Sequence, residues 1–294
     1  MKRLALSCLR LVLRPFGWGV APLPMLRQEL NHTAIMRGAV KALAARVKNE
    51  VAAHGLYPAD QWLDQLEDEI LFWFGYFATD GVEYGGPEAI AAIARPHAFQ
   101  YESLFANRPA GTTLAVLDVG AGPISQLGTL GHSVDVRMTA VDPLAPAYDV
   151  ILDLLRVARP TPTVFGVAEY LSGQFEAGSF DLVHARNALD HGLDPVAAIH
   201  EMAGLVQDQG WMVLDHGDRE ADRQAFKGLH QWNLFVAAGR LHVEGGDRVV
   251  RVIDHGRLGF NMRSEAHVED GKQCLRLFYQ RISPPSPQTL RDGS

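Results

Sequence analysis

The feature that most constrains the fold is a glycine turn between an apolar run and the start of a helix. Residues 117–125 read LDVGAGPIS, and the next apolar run ends at Asp142. Glycine tolerates positive φ and lets a ligand approach the backbone, while a helix N-terminus presents free N–H groups. We therefore expect a buried strand, a turn and a helix, followed by a second strand whose terminal carboxylate accepts hydrogen bonds from ribose hydroxyls. Such a turn can hold an adenosine-type cofactor.

Further strand patterns follow this turn at regular intervals. Residues 163–169 (TVFGVAE), 178–191 (GSFDLVHARNALDH) and 210–216 (GWMVLDH) predict a third, a fourth and a fifth strand. Helical segments separate these strands, and Asp194-Pro195 opens one that runs through Leu205. Strands that alternate with helices indicate a parallel sheet with helices on both faces.

The glycine turn resembles the first motif of the class I S-adenosylmethionine (SAM) methyltransferases, which is an acidic residue, any residue and then Gly-x-Gly. Asp118, Gly120 and Gly122 match that motif. A nicotinamide site would have a third glycine where Ser125 stands, so an NAD-dependent oxidoreductase is the weaker alternative. The resemblance implies an α/β, Rossmann-like methyltransferase sheet with an antiparallel last strand. Two hairpin patterns in the tail, one around Gly245-Gly246-Asp247 and one around Glu269-Asp270-Gly271, agree with that ending.

The resemblance also implies SAM as the cofactor and a set of residues around it. Many members of the family carry an acidic residue where this chain has Val167, and we expect Glu169 or backbone groups to replace it beside the adenine. A non-catalytic subunit that keeps the SAM fold is a further alternative. The expected cofactor-binding residues are Asp118, Gly120, Ala121, Gly122, Asp142, Pro143, Ala168, Glu169, Asn187 and Ala188.

Two histidines are candidates for the catalytic base. Methyl transfer to a hydroxyl needs a group that removes the proton, and an imidazole suits this near neutral pH. His191 follows the fourth predicted strand and His216 ends the fifth, so both are expected at the reacting edge of the sheet. A capping turn and a loop hydrogen bond are the alternative roles of these two residues.

The acceptor is expected to be a small molecule, with a sugar or a lipid-linked glycan favoured and an oxygen preferred to a nitrogen. His230, Trp232 and Asn233 form a polar segment around an aromatic ring, which suits the recognition of a sugar. A packed loop with a buried tryptophan is the alternative. We predict no metal site, because the spacing of the histidines and acids fits no strong ligand signature.

The charge of the chain is unevenly distributed. The 294 residues carry a net charge of −7, but residues 1–50 hold nine Lys or Arg and two Glu. The rest of the chain is therefore strongly acidic, which argues against nucleic acid as a partner because phosphates are repelled. Only two cysteines occur, Cys8 and Cys274, so no disulfide framework is expected and the chain suits the cytoplasm.

The chain divides into four predicted parts. Residues 1–25 form a basic amphipathic arm, 26–108 a helical cap, 109–283 the SAM-binding core and 284–294 a flexible tail. Arginines interrupt the apolar run of the arm, so we expect it to pack on the enzyme or to rest peripherally on the inner face of an anionic membrane. In the cap, a helix from Asp60 to about Phe77 carries regularly spaced aromatic residues, which predict a buried face or a lid. Glu69 and Arg95 are expected in ion pairs rather than facing the cofactor.

Overall fold

The computed structural model describes residues 34–56, 60–82, 85–269 and 271–282. The predicted arm (1–25) and tail (284–294) lie outside these ranges. The helices are α1 Ala34–Ala53, α2 Asp60–Ala78, α3 Gly86–Ile93, α4 Ala145–Leu155, α5 Pro195–Leu205 and α6 Glu220–Arg223. The strands are β1 Thr113–Val119, β2 Asp135–Val141, β3 Thr163–Val164, β4 Phe180–Arg186, β5 Val206–Gly217, β6 Trp232–Ala237, β7 Arg240–Gly245, β8 Val250–Val252, β9 Phe260–Glu269 and β10 Lys272–Arg281.

Within the described residues, the main sheet has seven strands in the order β3-β2-β1-β4-β5-β10-β9. The strands from β3 to β5 pair in parallel, whereas β10 runs antiparallel to β5 and β9 antiparallel to β10. The sheet confirms the predicted Rossmann-like methyltransferase fold with its antiparallel end. β1 is buried over nearly its whole length, as expected for a strand in the middle of a parallel sheet with both faces covered.

Alternate residues of the central strands enter two different parts of the core. Val183 and Ala185 of β4 pack with Ile199 and Met202 of α5 on one face of the sheet. Leu182 packs on the other face in the cluster that contains Tyr101 and Phe105. Asp194 caps α5, where its carboxylate accepts hydrogen bonds from the N–H groups of Val196 and Ala197 at 2.9 and 3.3 Å. The helix begins and ends as the sequence predicts.

The helices of the predicted cap pack on the core through α4. Val47 of α1 and Leu66, Ile70 and Phe77 of α2 share one apolar cluster with Tyr148 and other residues of α4. This confirms the buried face predicted for the helix that starts at Asp60. Trp62 and Trp73 are only partly buried, and both lie toward the carboxyl edge of the sheet, as their contacts below show. No helix among the described residues combines the length and apolar character needed to cross a membrane.

A small second sheet follows β5, and in the described residues it has the order β6-β7-β8. The predicted hairpin around Gly245-Gly246-Asp247 is present as the antiparallel pair β7 and β8. The alternative of a packed loop at residues 228–233 is wrong from Trp232 onward, because that residue starts β6. β6 is a strand because alternate residues such as Leu234 enter the core, a pattern too short to read with confidence from the sequence alone.

Candidate active site

The glycine turn forms a shallow cradle at the carboxyl end of β1. Gly120 and Gly122 both have φ of 64°, a conformation that side chains disfavour. A Cβ on Gly120 would overlap the Cβ of Ala188, which follows β4, and a Cβ on Gly122 would lie 3.2 Å from the ring of Trp73. The N–H of Ala121 donates to the carbonyl of Val141 at 3.1 Å, so the turn is held against the end of β2. Only glycine fits both positions, because neither has room for a side chain.

Asp142 stands beside this turn with a buried carboxylate. One oxygen accepts from the N–H of Gly122 at 3.0 Å and the other from the N–H of Leu144 at 2.8 Å. The hydroxyl of Tyr148 donates a third hydrogen bond. Burial, with a smaller contribution from the charge of Glu69, raises the pKa of Asp142 to about 6 against the lowering effect of its hydrogen bonds. A carboxylate has about four acceptor positions, so capacity for a ribose hydroxyl remains.

These observations fit an adenosine-type cofactor. The cradle consists of backbone that carries no side chain at Gly120 or Gly122, and the carboxylate predicted to bind the ribose, that of Asp142, accepts a hydrogen bond from it. Gly120, Ala121, Gly122, Asp142 and Ala188 are brought together as predicted. Pro143 follows Asp142 directly and lies at the same edge of the sheet.

Other predicted cofactor residues have partners inside the protein. Asp118 Oδ1 lies 2.7 Å from Nδ1 of His184 on β4, and both side chains are buried. Asn187 accepts from the N–H of Gly217 at 3.1 Å and so joins the ends of β4 and β5. Glu169 Oε1 accepts from the N–H groups of Leu193 and Asp194 at 2.7 and 3.0 Å. This geometry favours a supporting role for Glu169 ahead of α5, while Ala168 starts the same short 3-10 helix, Ala168–Gly173.

Three side chains from two separate segments meet beyond the end of β4. Asp190 and His191 belong to a 3-10 helix, Leu189–His191, and His230 lies in the loop before β6. His230 Nδ1 lies 2.7 Å from Asp190 Oδ2 and 3.0 Å from His191 Nε2. The third side of the triangle, from His191 Nε2 to Asp190 Oδ2, measures 3.5 Å. We call these three residues the triad.

Backbone hydrogen bonds hold the two segments of the triad together. The N–H of Gln231 donates to the carbonyl of Asp190 at 3.0 Å, and the indole N–H of Trp232 donates to the carbonyl of Gly192 at 3.0 Å. From the opposite side, the indole of Trp62 on α2 donates to the carbonyl of His191 at 2.9 Å. Burial alone would raise the pKa of Asp190, but the neighbouring imidazoles outweigh it and hold that pKa at about 2.

His216 lies near the triad but has no partner of its own. It is 2% exposed, and neither ring nitrogen has a hydrogen-bond partner in the protein. Burial lowers the pKa of His216 to about 4, although the charge of Asp190 opposes this. The ring is therefore neutral at physiological pH. A buried imidazole without partners is uncommon, and a functional role is one of the recognised explanations.

The residues predicted to bind the acceptor have different positions and partners in the structure. His230 belongs to the triad, whereas Trp232 uses its N–H to hold the chain at Gly192. Asn233 is 0% exposed. Its oxygen accepts from the N–H of Asp222 and its nitrogen donates to Glu244, both at 3.0 Å. Burial with two internal partners favours a structural role for Asn233 rather than contact with the acceptor.

Glu69 on α2 is near both parts of the site. Its charge contributes to raising the pKa values of Asp142, Tyr148 and His230. The signal available in the sequence was its spacing: Glu69 lies four residues before Trp73, so the two side chains lie on the same face of α2. Arg95, in contrast, is exposed. A residue that was not predicted is His184, whose signal was a polar side chain inside the otherwise apolar core of β4.

Comparison with known proteins gives a family match over the stretch of chain that contains the cradle. A protein-family model described as a methyltransferase domain matches residues 117–214, which run from the glycine turn almost to the end of β5. The chain carries a SAM-dependent methyltransferase domain. It is accordingly an enzyme, and its cofactor is SAM. No curated protein matches the sequence.

Solved structures similar to this methyltransferase include two bacterial proteins. The YcgJ protein of Bacillus subtilis is 16% identical, with 62% of this chain and 97% of that one covered and a TM-score of 0.32. The 1,6-didemethyltoxoflavin-N1-methyltransferase of Burkholderia thailandensis, which was solved with S-adenosylhomocysteine, is 14% identical. That match covers 78% of this chain and 92% of the other, with a TM-score of 0.41. At these scores, the assignment depends on the family match and on the geometry of the cradle.

Proposed function

We propose that this enzyme methylates an oxygen of a small-molecule acceptor. A sugar or a lipid-linked glycan is the favoured class, and a nitrogen acceptor is the alternative. The observation that carries the proposal is the group of imidazoles, His191, His216 and His230, around the buried carboxylate of Asp190 at the ends of β4 and β5. A hydroxyl must lose its proton during methyl transfer, whereas a neutral amine attacks without prior loss of one.

The cradle and the triad have separate tasks in this reaction. Gly120, Ala121 and Gly122 would bind the methionine part of the cofactor through their backbone, and Asp142 would hold its ribose. When bound, SAM supplies a methyl group on a positively charged sulfur, and S-adenosylhomocysteine remains after transfer. Ala188 links the two regions, because it contacts the glycine turn and lies two residues before Asp190. The acceptor is thereby placed next to the donor, which is the main requirement of an in-line transfer.

We assign proton removal to His216 and acceptor binding to the triad. His216 is neutral, and neither of its ring nitrogens has a partner in the protein, so the nitrogen that carries the lone pair can accept a proton. The acceptor's O–H bond breaks, the proton passes to an imidazole nitrogen, and the oxygen keeps the electron pair with which it bonds to the methyl carbon. His191 and His230 are held in place through Gln231, Trp62 and Asp190, as a binding site for an oxygen requires.

The polar side chains at and around the triad support a polyhydroxylated acceptor. Asp190, His191, His230 and Glu69 offer hydrogen-bonding groups on several sides, while Trp62 provides an aromatic surface nearby. Rings with several hydroxyls match such a mixture of polar groups and an aromatic face. The net negative charge of Glu69 and Asp190 also suits a positively charged donor.

A paired-acceptor assay tests the choice of oxygen. Each sugar would be offered together with the amino sugar that differs only in carrying an amine at one position, with isotopically labelled SAM as methyl donor. We expect label on the hydroxyl acceptors, and little on the amine of the matched compound. Methylation confined to amines would overturn the oxygen assignment without affecting the cofactor. The variant His242→Gln, at a partly exposed histidine on β7, is assayed alongside the wild type and should show the same acceptor preference.

Membrane contact by the basic arm remains a proposal for residues outside the described ranges. A lipid-linked acceptor would place the enzyme at the inner face of a membrane, where basic residues are attracted to anionic lipid. Flotation with vesicles of phosphatidylcholine alone, or with added phosphatidylserine, tests this. We expect binding only to the anionic vesicles and its loss when residues 1–25 are removed.

A further inference from the structure

Hydrogen bonds among the three side chains of the triad do not satisfy all three of their close contacts. Nδ1 of His230 faces Asp190 Oδ2 at 2.7 Å and His191 Nε2 at 3.0 Å. A neutral imidazole nitrogen carries either one hydrogen or one lone pair, so it can serve only one of these two neighbours well. If Nδ1 of His230 donates a hydrogen to Asp190, it has no lone pair left to accept a hydrogen bond from Nε2 of His191. The remaining side of the triangle, 3.5 Å, is longer than a normal hydrogen bond.

The sides of the triangle lie within about 0.3 Å of the distances expected between ligand atoms of one metal ion. These sides of 2.7, 3.0 and 3.5 Å join one carboxylate oxygen and two imidazole nitrogens. Ligand atoms at about 2.1 Å from a zinc ion lie roughly 3.0–3.4 Å from one another. Two imidazoles and one carboxylate are also a ligand set that zinc uses when a further position stays open for water or substrate.

We propose that Asp190, His191 and His230 bind a divalent zinc-type metal ion whose open position takes the acceptor's oxygen. The part that concerns the acceptor rests on the proposed function. Methyl transfer exchanges no electrons with a metal, so a Lewis acid suffices, and it lowers the pKa of a bound hydroxyl. The proton then passes to His216, and the oxygen keeps the electron pair that forms its bond to the methyl carbon.

The surroundings of the triad support a preformed site. The two segments that provide the ligands are joined at Gln231 and Trp232, and Trp62 holds the carbonyl of His191. Asp190 is buried, while His191 and His230 are partly exposed, so an ion and an acceptor can reach the open side. Glu69 adds negative charge beside His230, which favours a cation.

A second group of ligand-type side chains serves as an internal control. Among the described residues, His267, Glu269 and Cys274 also place ligand atoms close together. Two of them already have ionic partners, because His267 lies 3.3 Å from Asp215 and Glu269 pairs with Arg186. We therefore expect no zinc at this second group.

The first test measures zinc content. Untagged full-length protein would be stripped with EDTA, given Zn²⁺, dialysed and analysed by elemental mass spectrometry. We expect one zinc per chain in the wild type, in His242→Gln and in Cys274→Ser, and loss of at least nine-tenths of it in Asp190→Asn and in His230→Gln. Zinc that persists in the triad variants, or that disappears only in Cys274→Ser, would overturn the proposal.

A second measurement needs no variant and so does not depend on whether the variants fold. X-ray absorption at the zinc edge of the loaded wild type should show two imidazoles and oxygen ligands, without sulfur. Sulfur in the coordination sphere would assign the ion to Cys274, and no uptake of zinc at all would overturn the site.

Calorimetry and turnover separate this inference from the proposed function. We expect S-adenosylhomocysteine to bind zinc-free and zinc-loaded protein alike, and methylation of hydroxyl acceptors to fall at least tenfold without zinc. Full transfer by zinc-free protein would overturn the role of the ion but leave oxygen methylation in place. Zinc bound at the triad without transfer to any hydroxyl would overturn the proposed function and the acceptor part of this inference together, and it would leave the metal site.

Discussion

The cofactor cradle and the triad lie at the same edge of one sheet, but they are built in different ways. The cradle consists of one short turn and the carboxylate that ends the next strand, only 20 residues apart from Gly122 to Asp142. The triad joins side chains 40 residues apart through a loop held by hydrogen bonds to Asp190 and Gly192. A local motif therefore forms the cradle, where the methyl donor binds, and we call the cradle the donor end. Tertiary packing forms the triad, where the acceptor is proposed to bind, and we call the triad the acceptor end. The two ends should therefore fail separately when they are mutated.

The largest effect is expected at His216. We expect His216→Asn to lower kcat by about 10²–10⁴-fold, the usual contribution of a positioned base, because no other neutral and unpartnered imidazole lies beside the triad within the described residues. The affinity for S-adenosylhomocysteine should not change. Single-turnover kinetics with calorimetry measures both, and His200→Asn, a half-buried histidine on α5, is the control. Loss of cofactor affinity equal to the loss of kcat would indicate a structural role instead.

Gly120→Ala should break the donor end. The new Cβ would overlap Ala188, and φ of 64° is itself unfavourable to alanine, so we expect unfolding to become easier by roughly 2–5 kcal/mol and cofactor binding to disappear. Gly111→Ala is the matched control, because Gly111 has φ of 77° but no atom within 4 Å of its Cβ position. That variant should lose only about 1–2 kcal/mol of stability and keep its affinity. Denaturant titration and calorimetry provide both values.

Asp142→Ala should weaken S-adenosylhomocysteine binding about 10–100-fold, the effect of losing a hydrogen bond to a charged group. The control is Asp153→Ala on the exposed side of α4. Zinc content should remain that of the wild type if the two ends are independent. An unchanged affinity would disprove the placement of the ribose at Asp142.

The affinity for the cofactor should depend on pH through Asp142. Burial raises the pKa of this carboxyl from 3.8 to about 6, so below that pH it is protonated and accepts hydrogen bonds poorly. We expect affinity to fall about tenfold for one pH unit below the pKa. The effect on folding has the opposite sign, because a raised pKa favours the protonated folded state. That contribution to stability is complete below pH 3.8 and is lost as the pH rises through about 6.

Asp142→Asn separates these two effects from the titration of other groups. Cofactor affinity and the free energy of unfolding would be measured from pH 4 to 8 in the wild type and in this variant. The pH-dependent step in each quantity should appear in the difference between the two proteins. A step of equal size in both proteins would assign the titration to another residue.

The smallest effect is expected at Glu69, which is near both ends. Removing its charge with Glu69→Gln should lower the pKa of Asp142 and move the midpoint of the affinity profile below pH 6, by less than one unit. Asp68→Asn, on the exposed face of the same helix, should leave the midpoint in place. A midpoint that moves equally in both variants would show a general charge effect rather than the proximity of Glu69 to Asp142.

Local patterns in the sequence predicted the parallel sheet, the bounds of α5 and the glycine turn, through apolar periodicity, a capping Asp194-Pro195 and two glycines at a fixed distance from Asp118. The antiparallel end of the sheet and the cofactor followed from the resemblance of that turn to a family. The same local reading placed His191 and His216 after neighbouring strands, because parallel strands end at one edge. It could not predict how the side chains there would pair.

Tertiary packing assembles the triad and its surroundings. The loop before β6 places His230 against Asp190, the packing of β5 leaves His216 without a partner, and the docking of α2 on α4 puts Glu69 beside Asp142. The prediction of no metal site has not been tested; it considered only the spacing of ligands along the chain, which does not describe a site built from separate segments such as the triad. Contacts between distant segments depend on how the loops close and pack, and no local pattern in the sequence records that.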